Sequence, residues 1–479
     1  MNGRKSFVPA AMVFAGLALI AALVQWNTPP RGASEDRPAP PAAAPKEPEL
    51  KTIRLTIHPA PEPRPALKYV LLPPQHESEQ GNAAVHYQLL IDTLPQKGED
   101  EKSHLGAALN LPLDQVTRQV LTDWPWPWAE RLIHRAARQR YCDWQLAPHE
   151  GVDMGVPSLG ELRRLGKWMA VYAKVLIAER RYDEALGILQ AGNAMGRHIG
   201  QNLTLIQGLV GLATLENMAH RVEEWVQQRE SPNLYWALTN LPTPMIHYPA
   251  VVIWESRSLE LTIPESIRSR LRTQVVAQEE AQVWLKKFVE TTDKLYDPEN
   301  KIHVEIEQFS QLPPWTPERL EQYGYSSDLI RNMPPAQVHL LYIMERSREL
   351  IEDQTKWYGV PWRQGRRGLS AAADAVADKS HSNPFLDAWL GDLTRGPLLI
   401  SRFDRKLAAL RTIEAIRMYA AEHKGKLPPT LEAITAVPVP DDPMTGKAFA
   451  YTLQGEMAVL DLTEGDPEMP MRYELTIAR

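Results

Sequence analysis

One cysteine in 479 residues excludes an intrachain disulfide, so this chain must hold together by packing. That residue, Cys142, sits in Arg-Tyr-Cys-Asp-Trp without a partner thiol or a local nucleophile signature, and it reads as a small buried apolar group. Positive charge is also short: 53 Lys plus Arg against 59 Asp plus Glu give a net charge of −6, so a nucleic-acid partner is not expected. Glycine is modest at 26, and the glycine-dependent site motifs are missing. There is no Gly-x-Ser-x-Gly elbow, no phosphate-cradling loop and no dinucleotide fingerprint. His-Glu-x-x-His is missing too. His134, His149, His198 and His220 are scattered, and the nearest approaches to ligand pairs, His149-Glu150 and Glu216-x-x-x-His220, lack a third ligand. No metal and no cofactor is therefore expected. The acid pairs Glu223-Glu224, Glu279-Glu280 and Asp441-Asp442 read as solvated faces or turn residues.

What the sequence does have begins with the uncharged run Phe7–Trp26. As a helix, its 20 or so residues span ~30 Å, the thickness of a bilayer's hydrocarbon core. Arg4 and Lys5 precede it and Trp26 ends it, so the positive-inside rule puts the N-terminus in the cytoplasm and the rest of the chain outside. A cleaved export signal is the competing reading, but Val24, Gln25 and Trp26 make a poor small-x-small site. The expectation is a single-pass inner-membrane anchor over 1–26 with a periplasmic body. Residues 27–65 follow as a Pro/Ala-rich linker; its first part, 27–50, is too poor in apolar residues to fold and favours extended polyproline II.

Within that linker Lys51–His58 alternates, with Ile53, Leu55 and Ile57 on one side, and predicts a strand. Leu67–Leu72 is a second, shorter strand candidate. From about 83 the period becomes helical: Ala83–Leu94, Leu113–Thr122, Trp128–Tyr141, then three strong helices. The first starts at Ser158 with a Ser-x-x-Glu161 capping box and runs to about Glu179; Tyr182–Gly200 and Leu203–Gln228 follow. Further helices are predicted at Ser266–Tyr296, Pro317–Gln322, Ser326–Arg331 and Pro335–Tyr358, with 359–384 as a surface loop. The last long helix is Ile400–Lys424, closed by Gly425 as a left-handed cap. Ala448–Leu453 and Met457–Leu462 flank Gln454-Gly455-Glu456 as a hairpin, and Tyr473–Ile477 is a third strand. The predicted fold class is mainly α: an antiparallel helical body over 66–399 and a small α+β module over 400–479, behind an N-terminal membrane helix.

Two motifs stand out. Ala173–Ala194 resembles a tetratricopeptide helical hairpin, with Tyr182, Ala185 and Leu189 at the interlocking positions, although there is no second copy at the 34-residue period. Trp124-Pro-Trp126-Pro-Trp128 keeps three tryptophans on an extended stretch. They are the candidate interaction surface if exposed, and a core or staple element if buried.

Several stretches resemble an uncharacterised family of envelope-anchored proteins from planctomycete-type bacteria: Ala66-Leu-Lys-Tyr-Val-Leu-Leu-Pro73, Gly81-Asn-Ala-Ala84, Tyr141-Cys-Asp-Trp144, Ala178-Glu-Arg-Arg-Tyr-Asp-Glu-Ala185, Asn233-Leu-Tyr-Trp-Ala-Leu238 and Met333-Pro-Pro-Ala-Gln337. The resemblance implies a location in the envelope and no activity. The tail, through Gly425-Lys-Leu-Pro428, Leu431, Asp442-Pro-Met-Thr-Gly446 and Phe449-Ala-Tyr451, resembles the helix end and small sheet of type II secretion pseudopilins. In those proteins the apolar segment runs straight into that helix; here the two lie some 370 residues apart. The leading expectation for function is a membrane-tethered scaffold or protein-interaction protein with protein partners in the envelope. An envelope-polymer hydrolase whose cleft is invisible in the sequence, and an accessory to a type II-like secretion system, are the alternatives.

Overall fold

The computed structural model describes residues 7–9, 48–93, 99–121, 128–247, 253–293, 313, 316–378, 386 and 393–478. Trp124 and Trp126, two of the three candidate surface tryptophans, lie outside the described residues, as does the predicted anchor from residue 10 onward. Phe7–Pro9 (β1) form a short strand antiparallel to Gly155–Pro157 (β5), where the first turn of the anchor helix was expected; proline, which lacks a ladder N–H, stands at the end of that strand. No helix among the described residues is long and apolar enough to cross a membrane.

The protein is mainly helical, with a small sheet at its C-terminal end. Lys51–Ile57 (β2) opens the body. Glu79–Asn82 (β3) leads into Ala83–Thr93 (α1), followed by Glu99–Asn110 (α2) and Trp128–Arg138 (α3). Gln139–Tyr141 (β4) then pairs with β3 in parallel. The predicted helix at Leu113–Thr122 is instead two 3-10 turns, Leu113–Gln115 and Arg118–Leu121. Pro112 precedes the first turn, and β-branched Val116 and Thr117 separate the two, both poor for continuous helix.

Leu159–Ala178 (α4), Tyr182–Gly200 (α5) and Leu205–Trp225 (α6) are the three strong helices, packed on one another. Only residues 179–181 separate α4 from α5, so the pair runs antiparallel. The close approach of α5 and α6 depends on glycine: a Cβ on Gly211 would lie 2.4 Å from the Gly196 carbonyl oxygen and 2.6 Å from the Gly200 nitrogen. The expected capping box at Ser158 does not form, because Glu161 pairs with Arg164 at 2.6 Å. The capping box sits instead on α6, where Thr204 and Gln207 satisfy each other.

Tyr235–Thr239 (α7) is short. Beyond it, Glu265–Thr273 (α8) and Gln278–Asp293 (α9) replace the single helix predicted over 266–296. The break at Val275-Val276 is held by one buried side chain. Gln337 accepts from the Val276 N–H and donates to the carbonyls of Leu271 and Gln274. Thr316–Gln322 (α10), Ser327–Asn332 (α11) and Pro335–Thr355 (α12) match expectation. The predicted loop 359–384 contains a helix, Trp362–Ala377 (α13), which starts after Pro361 and buries Leu369 and Ala372. Its glycine, serine and alanine content hid a 3.6-residue apolar period.

Arg395–Glu422 (α14) is the long C-terminal helix, and Gly425 takes the left-handed φ of 75° expected of its cap. Asp441–Asp442 (β6) and Lys447–Ala448 (β7) form a small antiparallel turn. Ala450–Gln454 (β8) and Met457–Asp461 (β9) are the predicted hairpin, and Met471–Ile477 (β10) extends the predicted third strand. The sheet order is β2-β10-β9-β8, with β2 parallel to β10 across the whole register Lys51–Met471 to Ile57–Ile477. Leu67–Leu72, the other strand candidate, joins no sheet. The carbonyls of Val70 and Leu71 accept instead from the side chains of Gln190 and Asn193 on α5.

Two large apolar cores result, beside a small third cluster of Met154, Val156, Ile206 and Trp254. The larger unites α1, α3 to α7, α14 and the four-stranded sheet. The smaller is built almost wholly from residues 259–351 around α12.

Candidate functional site

An open cleft of about 690 Å³ lies where the β3/β4 pair meets the end of α5. Leu72, Pro73, Gln75 and Ser78 form one wall. Gln80 and the run Gln139–Cys142 form the second, and Arg197, His198 and Gln201 come from the end of α5. Its volume is that of a small-molecule site. No Asp or Glu lines it, while Arg140 and Arg197 do.

Local chemistry fixes each wall. Asn82 locks β3 to the chain after β4: its side chain donates to the Asp143 carbonyl at 2.6 Å and accepts from the Asp143 N–H at 2.8 Å and the Ala84 N–H at 3.0 Å. Gly81 leaves room for the Gln139 side chain: a Cβ there would sit 2.1 Å from its oxygen and push it aside. Gln139 in turn donates to Glu79 and to the Arg135 carbonyl, both at 3.0 Å. The nearby carboxylates Glu77 and Glu79 meet Arg138 and Arg135, each at 3.5 Å, outside the cleft wall.

His198 lies at the cleft floor. Its Nδ1 is 3.0 Å from the Tyr87 hydroxyl, and Tyr87 stacks on Trp144 with ring centroids 6.3 Å apart. Burial, and then the neighbouring Arg197 charge, push the imidazole down to about 4, against a hydrogen bond to the Gln139 main chain. The ring is neutral at pH 7. Cys142, expected as a buried apolar group, is half-buried and lines the cleft. Burial and Asp143 push its thiol up, so it is not a thiolate nucleophile at neutral pH. The cationic character of the cleft therefore rests on its two arginines.

Several other ionisable clusters are internal joints. His220 and Glu216, one of the metal-pair candidates, surround an ammonium: Lys406 Nζ lies 3.1 Å from His220 Nδ1, 3.3 Å from Glu216 and 3.4 Å from Glu223. Glu223 also accepts from the Tyr473 hydroxyl at 2.7 Å and lies 2.8 Å from His220. Burial alone would raise this carboxyl, but Lys406, His220 and Tyr473 together hold it well below the usual range. Glu223 is thus not a solvated face residue as expected; it joins α6, α14 and β10. Asp442 is likewise buried, against Arg405 at 2.6 Å. Glu279 is exposed, as expected. Arg417 and Glu414, both fully buried, meet at 2.9 Å, and Arg417 also donates to the His58 carbonyl, the Ser231 carbonyl and the Ser231 hydroxyl. Asn233 completes that joint by donating to the carbonyls of Ala60 and Glu414.

Among the described residues no group of three or more His, Cys, Asp or Glu side chains is placed to hold a metal. His134 lies 3.8 Å from Glu130 as an i,i+4 pair, and His149 sits in a 3-10 turn with Glu150. Trp128, the one described member of the tryptophan triplet, opens α3 and packs on the larger core. Sequence reading missed the cleft. Its signals were present in Gly81-Asn82 and Tyr141-Cys142-Asp143, but nothing in the sequence joined the two stretches. No protein-family model matches this chain, and no curated protein or solved structure shows significant similarity to it.

Proposed function

We propose that this chain is a membrane-tethered, extracytoplasmic scaffold that presents a helical body to partners in the envelope. The observation that carries this reading is the pairing of β2 with β10. The segment that leaves the Pro/Ala-rich linker enters the fold as a strand bonded along its whole length to the last strand. A tether attached there pulls on a seven-residue ladder that also belongs to the main core. The apolar run Phe7–Trp26 and its basic flank supply the membrane end, an arrangement that requires Phe7–Pro9 to leave β5 when the run enters the bilayer. Tethering raises the local concentration of the body at the membrane, which favours weak partner contacts. The packed antiparallel pair α4/α5 supports a tetratricopeptide-like surface as the presenting element.

The tail supports the secretion reading less. Its long helix, α14, is packed between α6, α7 and the sheet, which suits a permanent place in this body better than assembly into a filament.

The test is membrane fractionation of the full chain beside a chain starting at residue 48. The full chain is expected to stay in the pellet through alkaline extraction, and an alkaline phosphatase fused after residue 479 is expected to be active. The shorter chain is expected in the aqueous fraction. A full chain released by alkali, or an inactive fusion, contradicts the proposal.

A further inference from the structure

We infer that the cleft between β3/β4 and the end of α5 is a binding site for a small acidic sugar, a hydroxyl-rich ligand carrying one carboxylate. The inference goes beyond the scaffold reading and stands on the cleft alone.

Its first support is an imbalance of charge. Arg164, Arg268, Arg272, Arg402 and Arg405 are set into the body and each meets a carboxylate. Arg197 is half-buried in the cleft, its Nε is shielded from solvent and unbonded, and it has no acidic partner among the described residues. Burial is the sole cause that lowers its pKa, with no carboxylate acting on it. Arg140, exposed on another wall, has no ion pair among the described residues either. Even partial burial of a guanidinium without a counter-charge, as for Arg197, is costly. The negative end of α5 offsets only part of that cost. A bound carboxylate offers two oxygens in the fork geometry a guanidinium prefers.

The second support is the lining. Gln75, Gln80 and Gln201 with Ser78 surround the space with amides and a hydroxyl, groups that both donate and accept, which matches a ring of hydroxyls. Tyr141 stands at the wall with half its surface exposed, at 53 %, and offers an aromatic face of the kind a sugar ring covers. A purely apolar ligand would leave these polar groups unpaired.

The test is calorimetric titration of the full chain with D-glucuronate, D-glucose and inorganic phosphate. Glucuronate is expected to bind at least tenfold more tightly than glucose and than phosphate. Arg197→Gln and, separately, the exposed Arg140→Gln are expected to weaken glucuronate at least fivefold while leaving the weak glucose affinity unchanged. R140Q alters an exposed side chain and keeps the test valid should R197Q fold poorly. Equal binding of glucose and glucuronate overturns the inference, as does phosphate binding without glucuronate, or glucuronate binding unaffected by R140Q.

Discussion

Arginine plays opposite parts in two regions of this molecule. At the joint of α14 with the segments 58–60 and 231–233, Arg417 is wholly buried and every direction of its guanidinium is answered: Glu414, the His58 carbonyl, and the carbonyl and hydroxyl of Ser231. At the cleft, Arg197 is only half-buried, yet no carboxylate among the described residues answers it. The same side chain is a structural weld where the fold supplies its partners and a recognition group where the fold withholds them. The difference is one of neighbours, and the neighbours come from distant parts of the chain.

The largest effect expected from breaking this comparison is at the weld. Arg417→Ala leaves Glu414 buried and uncompensated, and is expected to lower stability by about 3–5 kcal/mol in denaturant unfolding. The paired change Arg417→Met with Glu414→Leu removes both charges and is expected to cost much less. A double variant no better than R417A would show that the carbonyl and hydroxyl bonds of Arg417 dominate instead.

A second effect, nearly as large, concerns acids without a counter-charge. Glu255 is buried, accepts from the Leu205 N–H at 2.8 Å and leaves its other oxygen unbonded, and burial raises it to about 7. Asp404 is raised to about 7 for the same cause. A carboxyl raised on folding stabilises fully below its unfolded value and loses that contribution as pH rises through the folded value. For Glu255 the loss is on the order of 3 kcal/mol between pH 4 and pH 9. Glu255→Gln is expected to flatten this dependence in unfolding curves taken across that range; an unchanged slope would exclude Glu255 as its source.

Glu223 has the opposite sign. Held low by Lys406, His220 and Tyr473, it stabilises above the ordinary carboxylate range and loses that contribution in acid. Tyr473→Phe removes one hydrogen bond to this buried charge and is expected to cost about 1.5–3 kcal/mol at pH 7. The loss should shrink only in strong acid, well below the ordinary carboxylate range, where Glu223 is itself protonated in the folded protein; a cost independent of pH down to that range would point to packing of the ring instead.

The sequence made much of the fold legible, and the reasons are local. Helices α4, α5, α6, α12 and α14, the β8/β9 hairpin and β2 announce themselves by period, and Gly425 by its position. What stayed hidden depends on long-range partners. Gln337 holds the α8/α9 break from more than sixty residues away, and Val275-Val276 alone did not signal it. The alternation in Lys51–His58 predicts a strand, but not that its neighbour is the last one in the chain. Glu223-Glu224 looks like any exposed acid pair until Lys406 and Tyr473 arrive. The cleft was illegible for the same reason: it assembles 72–80, 139–142 and 197–201, and its clearest mark is a missing carboxylate.

The smallest effect on stability is expected at the cleft, and it makes the most direct test of the whole account. Thermal unfolding of the wild type, R197Q and R417A should be compared with and without D-glucuronate. The account predicts that R417A unfolds at a much lower temperature and that R197Q stays close to the wild type or rises above it. It also predicts that glucuronate raises the transition of the wild type and raises that of R197Q by less at the same concentration. If R197Q falls as far as R417A, and glucuronate moves neither it nor the wild type, then Arg197 is one more structural charge and the contrast between weld and cleft does not exist.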